Sequence, residues 1–297
     1  MNRAQALVTL APESKDFDTW QKYCEQNWRE YAERCDYDLV VLTQPLDSSA
    51  RARARKYAWQ KCLLLEQEWA SQYEQIVWLE PNILINPAAP SIVQGVPLER
   101  VGAVTYFSNP SRVFFVQANR RSAEYWVRRR ANTLYENSPR EYYLNWGLPP
   151  FEIDEVVHTG ALVLSPRHHR QLLRNVYDRY EDKGASWHHE MRPLSYELLR
   201  ADCVHWLDAR FNLIWLMEKF LHYPFLLTSR DDRRLPARLK RRLGRELGIF
   251  APAMLYRACA TTSYLNSFFL NFAEMADEMR FVDLEAHNWR ELYLDTP

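Results

Sequence analysis

E-Q-I-V-W-L-E-P-N-I-L-I-N, residues Glu74 to Asn86, is an apolar run that stops on polar groups and then resumes. Residues 75–79 read as a buried strand. Glu80, Pro81 and Asn82 stand at its end, Ile83 to Ile85 return to the core, and Asn86-Pro87 closes the excursion. Open α/β sheets bind ligands at the carboxyl ends of their strands, so Glu80 and Asn82 occupy a ligand position. By itself the pattern also fits a polar turn that caps a core strand.

The flanking sequence supports a layered sheet. Residues 6–10 form a short apolar run before Ala11-Pro12 and read as the first strand. Ser14 is then an N-cap, and Phe17, Trp20, Cys24, Trp28, Tyr31 and Cys35 recur at helical spacing. Residues 38–43 are a second strand, and Ala54, Ala58, Cys62, Leu65 and Trp69 give a second helical stripe leading back to the central strand. Strand, helix, strand, helix, strand with short links predicts right-handed crossovers and a parallel sheet. Beyond it, residues 101–107 read as a strand and 119–135 as a helix carrying Arg120, Arg121, Arg128, Arg129 and Arg130. Residues 137–150 read as an irregular excursion, 156–165 as a strand, and Ser165-Pro166 as an N-cap with proline at the first helical position.

Composition narrows the function classes. At 297 residues the chain can bury a large core, and its 38 Lys plus Arg balance 38 Asp plus Glu, so no global field points to nucleic acid. Five cysteines, odd in number and without metal-ligand spacing, imply buried thiols in a reducing compartment. No stretch reads as a signal peptide or a membrane span, so the expectation is a cytoplasmic protein. With seven glycines and no G-x-G-x-x-G or G-x-x-x-x-G-K-[ST], a glycine-rich phosphate loop is unsupported. The 11 Trp and 17 Tyr suit sugar rings as well as ordinary cores.

Several motifs, in order, resemble nucleotide-sugar transferases of the GT-A fold, especially the retaining group that includes glycogenin and bacterial lipopolysaccharide galactosyltransferases. W-L-E-P-N-I-L-I is similar to that group's W-L-D-x-D-x-L-I, and R-K-Y-A-W-Q-K, from Arg55 to Lys61, fits its R-x-x-x-W-x-K. V-V-H-T-G-A-L-V-L-S resembles its N-T-G strand, with His158 for the usual Asn, followed by Thr159 and Gly160. W-H-H-E-M-R-P-L-S-Y-E-L-L resembles the acidic block near the reacting carbon, and L-D-A-R-F-N the turn in which Arg210 and Asn212 brace the site wall. S-F-F-L-N-F-A-E places Asn271 where the family has a metal-binding His, and Glu274 near its usual Gly.

The resemblance implies an α/β, GT-A fold with a mostly parallel central sheet flanked by helices. It implies a main domain over residues 1–228, a basic and apolar helical insertion over 229–262, and a C-terminal strand and tail over 263–297. The donor, a UDP-sugar, falls to Thr9, Leu10, Ala11, Arg55, Lys61, Glu80, Asn82, Thr159, Gly160 and Asn271. Glu190 and His158 are the catalytic candidates, with Glu190 orienting or deprotonating an acceptor hydroxyl. Trp187 and His189 are the acceptor candidates, the acceptor being a glycan, peptide or small molecule. His188, His189 and Glu190 are adjacent, so their side chains diverge and do not chelate one ion.

The departures fall on the chemistry. Mn²⁺ or Mg²⁺ would be held by Glu80, Asn82 and Asn271, yet one carboxylate with two amides is a poor set for either ion. The expectation is a retaining glycosyltransferase with weak or absent metal dependence, in which Arg55, Lys61 and the basic insertion supply positive charge. A non-catalytic module that binds a glycan or partner protein is the alternative. A nucleotidyltransferase would need metal carboxylates and a glycine-rich loop, and residues 11–16 contain no glycine. Residues 230–258, basic then apolar, could contact a membrane surface or an anionic partner, or could be a solvated helix followed by a core helix.

Overall fold

The computed structural model describes residues 4–128, 136–149, 152, 154–183, 188–231, 252–273 and 275–286. Six strands form the central sheet in the order β2 (Tyr37–Leu42), β1 (Gln5–Leu10), β3 (Gln75–Leu79), β6 (Val157–Leu164), β5 (Val101–Thr105), β7 (Val204–Trp206). β1 pairs parallel with β2 and β3, and β5 parallel with β7. β6 runs antiparallel to both its neighbours, so five of the six strands share one direction. This is the helix-flanked, mostly parallel α/β sheet that the resemblance implies. A second sheet orders β4 (Ile83–Ile85), β9 (Phe269–Asn271) and β8 (Leu213–Ile214), which returns the C-terminal strand to the central motif.

Strand alternation builds a core on each face. Ala6, Val8 and Leu10 of β1, with Ile76 and Trp78 of β3, pack into one core, while Leu7, Val77 and Leu79 pack into the other. With both faces covered, β1 and β3 read as continuous apolar runs. No helix of the described residues is long and apolar enough to cross a membrane.

Some boundaries differ from the sequence reading, each for a physical reason. The stripe from Phe17 to Cys35 is two helices, α1 (Ser14–Tyr23) and α2 (Glu25–Arg34), joined at Cys24, and Trp20, Cys24, Trp28 and Tyr31 all remain buried across the joint. Glu13, not Ser14, holds the N-cap position, and it makes no side-chain cap bond. The second stripe is not an α-helix. It forms 3-10 turns over Tyr57–Glu66 and Glu68–Gln72, preceded by the short α3 (Ala50–Arg53). Trp59 through Leu65 are all buried, so this segment is enclosed on every side and no single stripe marks its period.

The helix expected at 119–135 starts earlier, as α4 (Arg112–Arg128). Its first turns expose Val113, Phe114 and Val116, which hid the amphipathic pattern. The excursion at 137–150 contains α5 (Pro139–Leu144), whose Ser138 side chain accepts from the Glu141 amide. After β6 the expected Ser165-Pro166 start opens α6 (Pro166–Arg179). Trp187, Arg129, Arg130 and Glu274 lie outside the described residues, as does most of the 229–262 insertion, including the basic run from 232 to 245.

Candidate functional site

The carboxyl edge of the parallel strands opens into a cleft of about 1190 Å³. Because β6 is reversed, its first residues enter at the edge where β3 and β5 leave, bringing His158 and Thr159 beside Glu80. The ladder between β5 and β6 slips here: Ala103 is opposite Leu162, yet Val104 is opposite His158. On β6 successive carbonyls alternate sides. The Gly160 carbonyl accepts from the Glu80 amide at 2.9 Å, so the Thr159 carbonyl faces the slipped side. There it accepts from the Lys61 ammonium at 3.1 Å.

Lys61 is the centre of the site. Its Nζ lies 2.7 Å from Glu190 Oε1 and 3.5 Å from Glu80 Oε1, and its side chain is 2% exposed. Burial alone would lower its pKa, but Glu190 and Glu80 outweigh burial and hold it above the ordinary lysine value. For Glu80, burial pushes the carboxyl up, and Lys61, together with the Asn271 amide, brings it below the ordinary value. Thr159 Oγ1 donates to the same Glu190 oxygen, Oε1, at 3.1 Å. Glu190 Oε2 has no protein partner among the described residues, and Glu190 lines the cleft.

A chain of amides fixes the opposite wall. The Ala273 amide donates to Asn271 Oδ1 at 2.8 Å, which turns Asn271 Nδ2 toward Glu80 Oε2 (3.3 Å) and Asn212 Oδ1 (3.0 Å). Asn212 Nδ2 in turn donates to His158 Nδ1, as does the Gly160 amide at 3.1 Å. With two donors on Nδ1, the neutral ring carries its proton on Nε2. Burial pulls the His158 pKa down to about 4.

Protonation of His158 therefore favours the unfolded chain. Its contribution is fully present above the ordinary value of 6.5 and is lost as pH falls toward 4, amounting to about 3 kcal/mol at most. His158→Gln is expected to flatten the fall in melting temperature between pH 7 and pH 4.5. Parallel curves for the two proteins would sink this assignment.

The metal position can be tested on the same geometry. Asn271 presents an N–H toward Glu80, where a cation needs an oxygen, and Lys61 already neutralises that carboxylate. The Asn82 Oδ1 is buried and unpartnered, but it leaves only one amide oxygen beside one carboxylate. Among the described residues no group of three or more His, Cys, Asp or Glu could hold a metal ion. The residues present do not fit a divalent cation.

Several sequence candidates meet in the cleft and others do not. Leu10, Lys61, Glu80, Asn82, His158, Thr159, His189 and Glu190 line it. Thr9, Ala11 and Gly160 do not, although a methyl group on Gly160 would approach Asn271 Nδ2 to 2.8 Å, so the glycine backs the site. Asn271 acts through Glu80 rather than on the cleft. Arg55 is a correction: it is buried away from the cleft, bonded to the Tyr177 and Tyr180 carbonyls and to Glu181 (2.8 Å), and stacked on Trp59. It fastens the segment that precedes His188, and Asp182 reinforces this by accepting from Trp59 Nε1 at 3.1 Å and meeting His189 at 3.2 Å. Arg210 is likewise turned onto Asp208 (2.8 Å) and the Phe268 ring, while Asn212 does brace the wall.

Other cleft residues escaped the sequence reading. At one end, Lys15 and Lys22 of α1 face the 3-10 turn Ala276–Phe281 with Arg280. These three cations have no ion-pair partner among the described residues, although Asp16, Asp18 and Asp277 line the same end, and the central cluster sets two carboxylates against one ammonium. Elsewhere Tyr106, Phe107, Phe115 and His188 cluster through their rings, and Trp126, further along α4, lines the same cleft. Tyr106 and Phe107 follow β5, so the rule that singled out Glu80 would have found them.

No family model matches the chain, and no curated protein matches it in sequence. Among the solved structures similar to it in layout are three glycosyltransferases. The mouse xyloside xylosyltransferase 1 has 10% identity and a TM-score of 0.35, over 75% of this chain and 92% of its own. The galactosyltransferase LgtC, solved with donor and acceptor sugar analogues, has 10% identity and a TM-score of 0.41, over 97% and 99%. A glycosyltransferase involved in glycosylating the major capsid of the virus PBCV-1 has 12% identity and a TM-score of 0.49, over 94% of this chain and all of its own.

Proposed function

We propose that the protein is a glycosyltransferase that moves a sugar from a nucleotide donor, UDP-linked by the motif resemblance, to an acceptor hydroxyl without a divalent metal. The observation that carries this is the Lys61 ammonium buried between Glu80 and Glu190 at the carboxyl edge of the sheet, where the motif series places the donor and the reacting carbon. The cleft volume, about 1190 Å³, exceeds what a single small ligand occupies.

Transfer breaks the bond from the anomeric carbon to phosphate and forms one to the acceptor oxygen. Charge grows on the departing diphosphate and must meet fixed cations. Because Lys61 is already neutralised by two carboxylates, that role goes to Lys15, Lys22 and Arg280 at the end of the cleft beside α1. Glu190 Oε2 accepts from the attacking hydroxyl, and the proton leaves on the diphosphate oxygen. Retention is the outcome that the resembling group implies.

A melting-temperature titration with UDP and UDP-sugars, with Mn²⁺ and with EDTA, tests this reading. The expected result is a rise that survives EDTA. A rise that requires Mn²⁺ removes the metal-free mechanism. No rise under either condition favours a non-catalytic module that binds a glycan or partner protein, which the excess negative charge of the central cluster would suit.

A further inference from the structure

Among the described residues, the far end of the cleft offers a ligand shape and hydrogen bonds but no unpaired charge. Its wall is aromatic: the Tyr106 ring lies 4.9 Å from His188, 5.6 Å from His158 and 5.1 Å from Phe115, with Trp126 on the same cleft. The ionic groups there, Glu136 and Arg192, are paired at 2.9 Å and buried. Arg192 also donates to the Tyr142 carbonyl at 2.6 Å and lies 4.0 Å over the Tyr142 ring.

His188 is the unusual member of this wall. Its φ is 70°, left-handed backbone that a side chain other than glycine's rarely adopts, and its buried Nδ1 has no partner. Burial, and then the Arg192 guanidinium, keep its ring neutral by holding its pKa well below the ordinary value. Strain that holds an unpartnered polar group on a cleft wall is what a ligand contact requires.

We propose that this end is the acceptor subsite and that it takes a neutral sugar ring, an inference that rests on the transferase reading. A pyranose has an apolar C–H face for Tyr106 and Trp126, and edge hydroxyls for His188, Asn119 and Ser122. A phosphate or carboxylate group would lose its water without meeting a free cation among the described residues, and would lie beside the Glu190 carboxylate. Glu190 follows His188 by two residues, so a ring on this wall sits beside the carboxylate that receives its hydroxyl.

Saturation-transfer NMR on the full chain, with and without UDP, tests the subsite. The probes are methyl glycosides of glucose, galactose, mannose and N-acetylglucosamine, set against glucuronate and glucose 6-phosphate. At least one neutral glycoside is expected to bind, and the charged sugars about tenfold more weakly. Trp126→Ala and His188→Ala are expected to weaken glycoside binding about tenfold in proteins that still melt cooperatively. Equal or tighter binding of the charged sugars, or no change in both variants, overturns the proposal. UDP binding without any glycoside binding sinks the subsite and leaves the transferase reading intact. Glycoside binding without nucleotide binding keeps the subsite and sinks transfer, and absence of both sinks both.

Discussion

Lys61→Met is expected to destabilise the fold by about 3–5 kcal/mol, because it strands the buried Glu190, and with it the partly exposed Glu80, without their cation. The methionine keeps most of the stem's packing, so the loss reports charge rather than volume. Without the ammonium, burial is left to raise the Glu80 carboxyl above its unfolded value. The deficit is then smallest in acid and widens as pH rises through the carboxylate range, from about 4 upward. Urea unfolding at pH 4.5 and pH 8 checks both the size and the sign. Lys61→Met combined with Glu190→Gln is expected to recover a large part of the loss, since it removes one of the two stranded charges. A deficit under about 1 kcal/mol that ignores pH would mean the cluster is hydrated and Lys61 is not its keystone.

Glu190→Gln is expected to slow transfer by about 10²–10⁴-fold, the range for loss of a positioned carboxylate. Glutamine keeps an oxygen for Lys61 and Thr159, so the wall stays in place while the anionic acceptor at Oε2 disappears. The nucleotide affinity is expected to stay within about twofold, which separates loss of chemistry from loss of the donor site. Initial rates with saturating donor, beside a UDP titration of the same sample, make the comparison. Retention of more than a tenth of the rate would remove Glu190 from the reacting group.

The strands of the first half were legible because both faces of β1 and β3 are buried and their apolar runs are unbroken. The frame of the site was legible for the same reason, since Glu80 marks where an apolar run stops. Arg55 and Lys61 sit six residues apart in one motif, and nothing local distinguishes them. Only the packing of the enclosed 3-10 turn sends Lys61 into the cleft and Arg55 onto Glu181. Of the aromatic wall, Tyr106 stands at a strand end and was open to the same rule as Glu80, whereas Trp126 and His188 come from separate segments that no strand end marks. The reversal of Asn271, from metal ligand to hydrogen-bond donor, depends on the Ala273 amide, which no side-chain pattern encodes.

The slipped ladder between β5 and β6 sets a condition on anyone who would rebuild this centre in another sheet. In a regular ladder the Thr159 carbonyl would be taken by an amide of β5, and a lysine brought there would find two carboxylates and only the more distant Thr159 hydroxyl. Grafting Lys61, Glu80 and Glu190 alone onto a continuous scaffold would therefore transplant the charges without their seat. The irregular backbone has to travel with them.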